Sequence, residues 1–345
     1  MTRRVAAVDC GTNSIRLLIA DLESNTDDFE RSRGSSELAR SPRLPLTDIS
    51  REMRIVRLGE GVDRTGRLSA AALDRTITAL REYAGLIAET KPESIRMVAT
   101  SATRDAENSQ EFTDRVVEVL GVAPEVISGE EEARLSFAGA TRELAGTPLA
   151  AEGARGDGGR EPPMREISPP YLVTDIGGGS TEFILGGAEG VDSERSVNIG
   201  CVRMTERHLH GDPPLQQEVA ATIADIDAAL ALAAATVPVD KARTLVGLAG
   251  SVTTVAGIAL GLDHYDSDLI HHSRVPAIRV HEIAAELLAM TRAERAAIPV
   301  MHPGRVDVIG AGALILDRIM TRFGFAEVLV SEHDILDGIA WSLVP

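Results

Sequence analysis

Aromatic side chains are scarce, at 3 % of 345 residues, with one tryptophan, three tyrosines and six phenylalanines. The core must therefore be aliphatic and alanine-rich, and no aromatic cluster offers itself for stacking a base. There are two cysteines, Cys10 and Cys201, without Cys-x-x-Cys spacing. That excludes a disulfide framework and suits a reducing cytoplasm. Each reads as a small buried side chain beside a glycine-rich turn. Positive charge is in deficit, with 35 Lys and Arg against 52 Asp and Glu and a formal net charge of −17. This argues against a general nucleic-acid or membrane-surface binder, although a cleft can be locally positive or metal-loaded. No apolar run is expected to reach transmembrane length. The stretch after Arg3-Arg4 is broken by Asp9, Asn13 and Arg16, unlike an export signal. A soluble cytoplasmic protein is expected. Neither G-x-x-x-x-G-K-S/T nor G-x-G-x-x-G occurs, so the P-loop and Rossmann solutions to nucleotide binding are set aside.

What is present is a repeat. VTDIGGGSTEF (173–183) and AVDCGTNSIRL (7–17) share Asp-x-Gly-x-x-Ser, at Asp175 and Asp9, about half the chain apart. Each follows a short apolar strand and precedes a second one, so each half opens with a hairpin whose turn is glycine-rich. In the first half a third strand follows at 51–59, then a helix at 69–90 with Ser69 as N-cap and Leu68 and Leu73 as hydrophobic staple. A strand at 95–100, a helix near 104–120, a strand at 124–128 and a helix from Glu130 complete it. The second half gives a strand near 191–199, helices across 201–236, a strand at 244–250, further helices, a strand at 327–332 and a last helix from His333. The order strand-strand-strand-helix-strand-helix-strand-helix thus occurs twice, as a duplicated domain requires. Residues 24–50 and 144–170 fall outside the repeat. Both are polar and read as surface loops, the second as a mobile linker between the halves.

Glycine in such a turn lets the main chain approach a ligand closely, and successive N–H groups can line a nest for phosphate oxygens. The aspartate offers a hard oxygen for Mg²⁺. Two turns at equivalent places would face each other across a cleft and grip a phosphate chain from both sides. ATSATRDA (99–106) and LAGSVTTV (248–255) pass from strand to helix through small and hydroxylic residues. A helix start is a ready anion site, though simple Ser/Thr capping explains each turn equally well. In ISGEEEARLSF (127–137), a Ser128–Glu131 capping box would give Glu131 a structural task, and Glu130 suits the helix dipole. Glu132 is left over as the candidate water-activating carboxylate, with Glu131 the runner-up.

Together DCGTNSIRLLI, ATSATRDAEN, ISGEEEARLSF, VTDIGGGSTEF, NIGCVRMTE, GLAGSVTT, HPGRVDVIGAGALIL and SEHDILDGIA resemble the exopolyphosphatase/guanosine pentaphosphate phosphatase family. That resemblance implies an α/β fold of two duplicated ribonuclease-H-like, actin-like domains with mixed five-stranded sheets around an inter-domain cleft. The expected division is residues 1–143, joined by a C-terminal helix at 333–345, a linker at 144–170, and a second domain at 171–332. The resemblance matches Glu132 to the family's catalytic glutamate, and Asp175 and Glu182 to its essential acids. The expected metal set is Asp9, Asp175 and Glu182, holding Mg²⁺, with other divalent cations or K⁺ as alternatives. The expected phosphate-binding set is Gly11, Thr12, Asn13, Ser14, Arg16, Ser101, Arg104, Gly177, Gly178, Gly179, Ser180, Thr181, Gly250 and Ser251. The activity implied is release of the terminal phosphate of inorganic polyphosphate. Hydrolysis of guanosine pentaphosphate (pppGpp) is the alternative, and a non-catalytic sensor of polyphosphate or (p)ppGpp is a third reading. Longer members carry a further HD-like domain, whose absence from this sequence leads us to expect short chains as substrate. His333-Asp334 reads as an isolated pair, and His208, His210, His271 and His272 as surface or packing residues. Arg203, His272 and Arg274 are expected to add positive charge near the cleft. A homodimer is the base-rate expectation.

Overall fold

The computed structural model describes residues 2–23, 46–142, 144 and 167–343. Among these, the first half forms β1 (Thr2–Cys10), β2 (Ser14–Glu23), β3 (Leu46–Ile55), β4 (Ser94–Ala99) and β5 (Glu125–Val126), in the sheet order β3-β2-β1-β4-β5. The second half forms β6 (Tyr171–Ile176), β7 (Thr181–Gly187), β8 (Gly190–Val197), β9 (Thr244–Leu248), β10 (Arg274–Pro276) and β11 (Glu327–Val330), ordered β10-β11-β9-β6-β7-β8. Removing β10 leaves two copies of one arrangement: an antiparallel three-strand meander flanked by parallel strands. The duplicated α/β fold with mixed sheets is therefore present. The second sheet gains a sixth strand, β10, which three residues ending in Pro276 did not announce.

Strands buried on both faces read as continuous apolar runs. In β1, Ala6, Val8 and Cys10 join a core with Leu73, Ile77, Leu80 and Phe112 from the helices Ala70–Thr90 and Ser109–Leu120. Val5 and Ala7 point the other way, onto Leu336, Ile339 and Ala340 of the helix Ile335–Ser342. The last helix thus returns to the first sheet. Its neighbour Gly129–Thr141 serves both halves: Leu135 packs with the first sheet, whereas Ala133, Phe137 and Ala140 pack with Tyr171 and Val173 of β6. The boundary drawn at residue 143 therefore follows a helix that both halves share. The two crossing helices touch through glycine. A β-carbon at Gly139 would lie 1.8 Å from the Asp334 carbonyl oxygen, and one at Gly338 would lie 2.0 Å from that of Leu135.

Local boundaries differ from the sequence reading where tertiary contacts intervene. The third strand runs over 46–55, not 51–59, so it starts inside the stretch read as a loop. Its outer edge is solvated, which gave it a polar composition. Residues 56–59 instead fold over the first turn: the Val56 and Arg57 amides donate to the Asn13 carbonyl at 3.0 and 2.9 Å, and Gly59 donates to Thr12 at 2.9 Å. The helix near 104–120 splits into Ser101–Arg104 and Ser109–Leu120. The strand at 244–250 stops at Leu248, because Ala249 turns to φ 66°. Ser69 caps its helix as expected, accepting from the Ala72 amide, and Leu68 and Leu73 are both buried. Residues 24–45 of the first insert and most of 144–170 lie outside the described residues.

One sequence expectation is corrected. The 21-residue helix Gln216–Thr236 contains an 18-residue window of mean hydropathy 1.6 and is long and apolar enough to cross a membrane by length and composition alone. Alanines interspersed with Asp225 and Asp227 concealed that run. In this fold Ile226, Leu230 and Ala233 seat the helix in the second core.

Candidate active site

Strand alternation aims both aspartates at one layer. Asp9 shares the face of Val5 and Ala7, and Asp175 that of Tyr171 and Val173, so both lie under the crossing helices. Opposite Asp9 in the hairpin register stands Arg16; opposite Asp175 stands Glu182. Between the two turns lies a cavity of about 100 Å³. Asp9, Gly11, Thr12, Asn13, Ser14, Arg16, Ser101, Glu132, Asp175, Gly177, Gly178, Ser180, Gly250 and Ser251 all line it. The turns nearly touch. A β-carbon at Gly178 would sit 2.8 Å from Thr12 Cβ, and one at Gly179 would sit 2.7 Å from Ser101 Oγ. Here glycine is required by close approach, not by a positive φ.

Each turn closes on itself, Gly11 N–H donating to the Ser14 carbonyl at 2.9 Å and Gly177 N–H to that of Ser180 at 3.1 Å. Those two amides are therefore spent on the turns. The amides of Thr12, Asn13, Gly178 and Gly179 have no intrachain acceptor among the described residues, which leaves the turn tips for an anion.

Four of the expected site residues stand behind the cavity wall. Arg104 donates to Glu132 Oε2 at 3.2 Å and to the Ile127 carbonyl at 2.9 Å, so it holds the glutamate and does not face the cavity. Gly179 backs onto Thr12 and Ser101. Thr181 donates to the Ile199 carbonyl at 2.5 Å. Glu182 accepts from Ser196 Oγ at 2.7 Å. Glu131 turns away and pairs with Arg96 at 3.2 Å. Ser128 caps the Glu131 amide, so one half of the expected capping box is present. Adjacent residues on a helix point about 100° apart, and Glu132 is the one of the pair turned inward.

The electrostatics are unusual for a folded interior. Burial, then the charge of Glu182, drives the Glu132 carboxyl well above its ordinary range, with Arg104 pulling it back. Burial and the nearby Asp334 push Asp175 up to about 6. Burial and Asp175 push Glu182 up to about 8. Asp9 is also raised by burial, against the opposing pull of Arg16. Acids that repel one another in a desolvated cleft mark a place awaiting protons or a cation. Burial likewise raises the thiols of Cys10 and Cys201, in keeping with packing roles.

Two participants escaped the sequence reading. Asp334 caps the last helix, accepts the Leu336 amide, and takes an ion pair from Arg16, which also donates to Asp9 Oδ2 at 2.7 Å. Read in isolation it gave no signal, because its partners lie at the far end of the chain. Arg305 lines the cavity over Gly250, where a β-carbon would meet the guanidinium carbon at 2.2 Å. It stood within HPGRVDVIGAGALIL, a segment from which no site residue had been drawn. Of the cations expected near the cleft, Arg203 lies behind the triple-glycine turn, and Arg274 pairs with Glu327 at the β10–β11 edge. His271 stacks on His272, with ring centroids 3.7 Å apart, and His333 lies tilted against His271 at 4.7 Å.

Mg²⁺ keeps most of its water and takes only one or two protein carboxylates beside substrate phosphates. Asp9 Oδ1 is buried without a hydrogen-bond partner, an oxygen of the kind such an ion takes. No three His, Cys, Asp or Glu residues stand in ligand geometry among the described residues. The donor set therefore fits a substrate-bridged cation better than a protein-caged one.

Comparison with known proteins places this geometry. "Exopolyphosphatase 2" of Mycobacterium tuberculosis is 48 % identical over 349 residues, covering 99 % of this chain and 98 % of that protein. A "Guanosine-5'-triphosphate,3'-diphosphate pyrophosphatase" of Aeromonas salmonicida is 28 % identical over 98 % of this chain, which spans 59 % of that protein. The solved structure of the Aquifex aeolicus PPX-GPPA enzyme matches 99 % of this chain and 100 % of its own at 29 % identity and a TM-score of 0.74. A crystal structure of an exopolyphosphatase-like protein reaches 0.84 at 39 % identity, over 99 % of this chain and 98 % of its own. The Ppx/GppA phosphatase family matches residues 37–150 and 166–345. With the duplicated hairpins, the shared cavity and its buried acids, the chain belongs to the Ppx/GppA phosphatase family and is a hydrolase.

Proposed function

We propose that this chain is an exopolyphosphatase that releases the terminal phosphate of inorganic polyphosphate, with Glu132 as general base. The observation that carries the reading is the placement of Glu132 in the wall of a cavity lined by both glycine turns. The terminal phosphate would sit between the tip Thr12–Asn13 of the first turn and Gly178 of the second, with Arg16 and Arg305 supplying positive charge. Glu132, held by Arg104 at 3.2 Å, would take the proton of the attacking water. A divalent cation on Asp9 and Asp175, when bound, supplies charge neutralisation for the phosphate oxygens and the crowded acids. Glu182 would tune Asp175 from behind it. A cavity of about 100 Å³ suits the terminal phosphate of a chain.

Glu132→Gln tests the assignment. It keeps size and an acceptor for Arg104, so folding and phosphate binding should survive. Phosphate release from tripolyphosphate should fall by about two orders of magnitude or more. Near-normal release would remove Glu132 from the mechanism.

A second reading has its own observation. Beside the cavity, across Arg16 and Arg305, lies a chamber of about 500 Å³ lined by Tyr265, Val300 and Met301. Its size and mixed lining suit a nucleoside, as hydrolysis of pppGpp requires. Comparing kcat/KM for tripolyphosphate, long polyphosphate and pppGpp decides between the two.

A further inference from the structure

Outside the cavity, Arg203 has all three of its guanidinium nitrogens hydrogen-bonded. It lies on the helix Cys201–His208, whose first amides are spent on the triple-glycine turn: Cys201 N–H donates to the Gly177 carbonyl at 3.0 Å, and those of Val202 and Arg203 to Gly178 at 2.9 and 3.1 Å. Arg203 Nε donates to the Gly179 carbonyl at 2.7 Å. Its other two nitrogens cross to the first half, Nη1 to Asp63 and Nη2 to Asp105, each at 2.5 Å. The same helix makes two further crossings. Arg207 Nη2 donates to Asp63 Oδ1 at 2.9 Å, and Glu206 accepts the Gly61 amide at 3.1 Å. Arg207 is itself anchored within the second half on Asp225 at 2.7 Å.

We propose that Arg203 is a positioning residue, which holds the two halves closed and thereby sets the triple-glycine turn against the first. Three acceptors from two halves converge on one planar fork, an arrangement that the point charge of lysine cannot reproduce. The Arg203 side chain is only 12 % exposed, so its contacts are screened less than those of a surface pair. Any opening of the cleft must break the Asp63 and Asp105 bonds. The turn moves with the helix, because four carbonyl contacts tie them together. Closure and the shape of the phosphate nest are therefore one event. When Arg203 is lost, the substrate must supply the free energy of closing, which weakens apparent affinity more than turnover. This rests on the phosphate-hydrolase reading of the cavity, but the latch itself can be measured without turnover.

The experiment compares the full chain with Arg203→Gln, Arg203→Lys, Asp105→Asn and the Gln/Asn double variant. By small-angle scattering without ligand, Arg203→Gln should have a larger radius of gyration than the parent, and tripolyphosphate should reduce the difference. In steady state its KM for tripolyphosphate should rise about tenfold with kcat within about threefold. Arg203→Lys should not restore KM, and the double variant should be no worse than Arg203→Gln alone. Unchanged dimensions together with unchanged KM, rescue by lysine, or strict additivity would each overturn the proposal. If the parent releases no phosphate, the hydrolase reading fails while scattering still decides the latch. Should Arg203→Gln not fold, Asp105→Asn carries the same two measurements.

Discussion

The two glycine turns occupy the same place in two copies of one topology, yet the hairpins that carry them differ in charge. In the first, the cross-strand partner of Asp9 is Arg16; in the second, the partner of Asp175 is Glu182. Asp9 therefore has a cation at 2.7 Å, and Arg16 is shared with Asp334. Among the described residues the side-chain donors to Asp175 and Glu182 are hydroxyls, Ser136 and Ser196 each at 2.7 Å, with Ser180 also on Glu182. A hydroxyl stabilises a carboxylate far less than a guanidinium does; burial raises all three acids, Asp9 against the pull of Arg16, and Asp175 and Glu182 to about 6 and about 8. One scaffold thus offers a balanced jaw and an acidic jaw. The acidic jaw has no guanidinium of its own, so protons, or a divalent cation shared with Asp9, would relieve it.

The most damaging way to break the balanced jaw is Arg16→Met, which leaves Asp9 and Asp334 buried without their shared cation. Removing one side of a buried ion pair costs about 3–5 kcal/mol, and urea denaturation at neutral pH should show a loss of that size. A loss below about 1 kcal/mol would mean that Arg16 does not compensate these acids. Next in size is Glu182→Gln on the acidic jaw. The amide can still accept from Ser196, so the fold should persist, and turnover should fall about tenfold or more if the acid tunes Asp175. Its stability relative to the parent should grow as pH rises from about 4.5 to about 8, where the unfolded glutamate has ionised and the native one still keeps its proton, and should stay level above that. Equal stability of the two at high pH would show that Glu182 pays no burial penalty.

The smallest effect is a pH trend, read in chelator-treated protein. Asp175 at about 6 and Glu182 at about 8 lie above their usual values of 3.8 and 4.5. Between these limits the native state keeps protons that the unfolded chain has released, so stability must fall as pH rises from about 4 to about 8. The thermal midpoint should drop by a few degrees over that window, an order-of-magnitude expectation for a chain of this size. Mg²⁺ should raise the midpoint more at about pH 8 than at about pH 5, because it replaces protons on the acidic jaw. A flat profile, or one that rises with pH, would erase the difference between the jaws.

Much of this was written locally. The Asp-x-Gly-x-x-Ser turns, the apolar strands around them and the Ser69 cap depend on residues a few positions apart, and the repeat followed from their order. Glu132 could be separated from Glu131 because the Ser128 cap assigns the first turn of the helix. Other features depend on contacts no neighbour reports. β3 looked like a loop because its edge is solvated, and Glu182, apparently a metal ligand, stands behind the wall against Ser196. Arg104 resembled a phosphate ligand but is spent on Glu132. Asp334 entered the site only when the last helix crossed back to the first sheet, its approach allowed by Gly139 and Gly338.

The sequence by itself determined two copies of a hairpin-led α/β unit, two glycine turns fit to meet phosphate, and the acids beside them. Period-2 and period-3.6 patterns and turn chemistry act over short stretches, so they can be read without the fold. Only the tertiary structure decided which acids are compensated and which are not. Charge compensation in a buried site depends on groups brought from opposite ends of the chain, such as Arg16 and Asp334, and on how far each is removed from water.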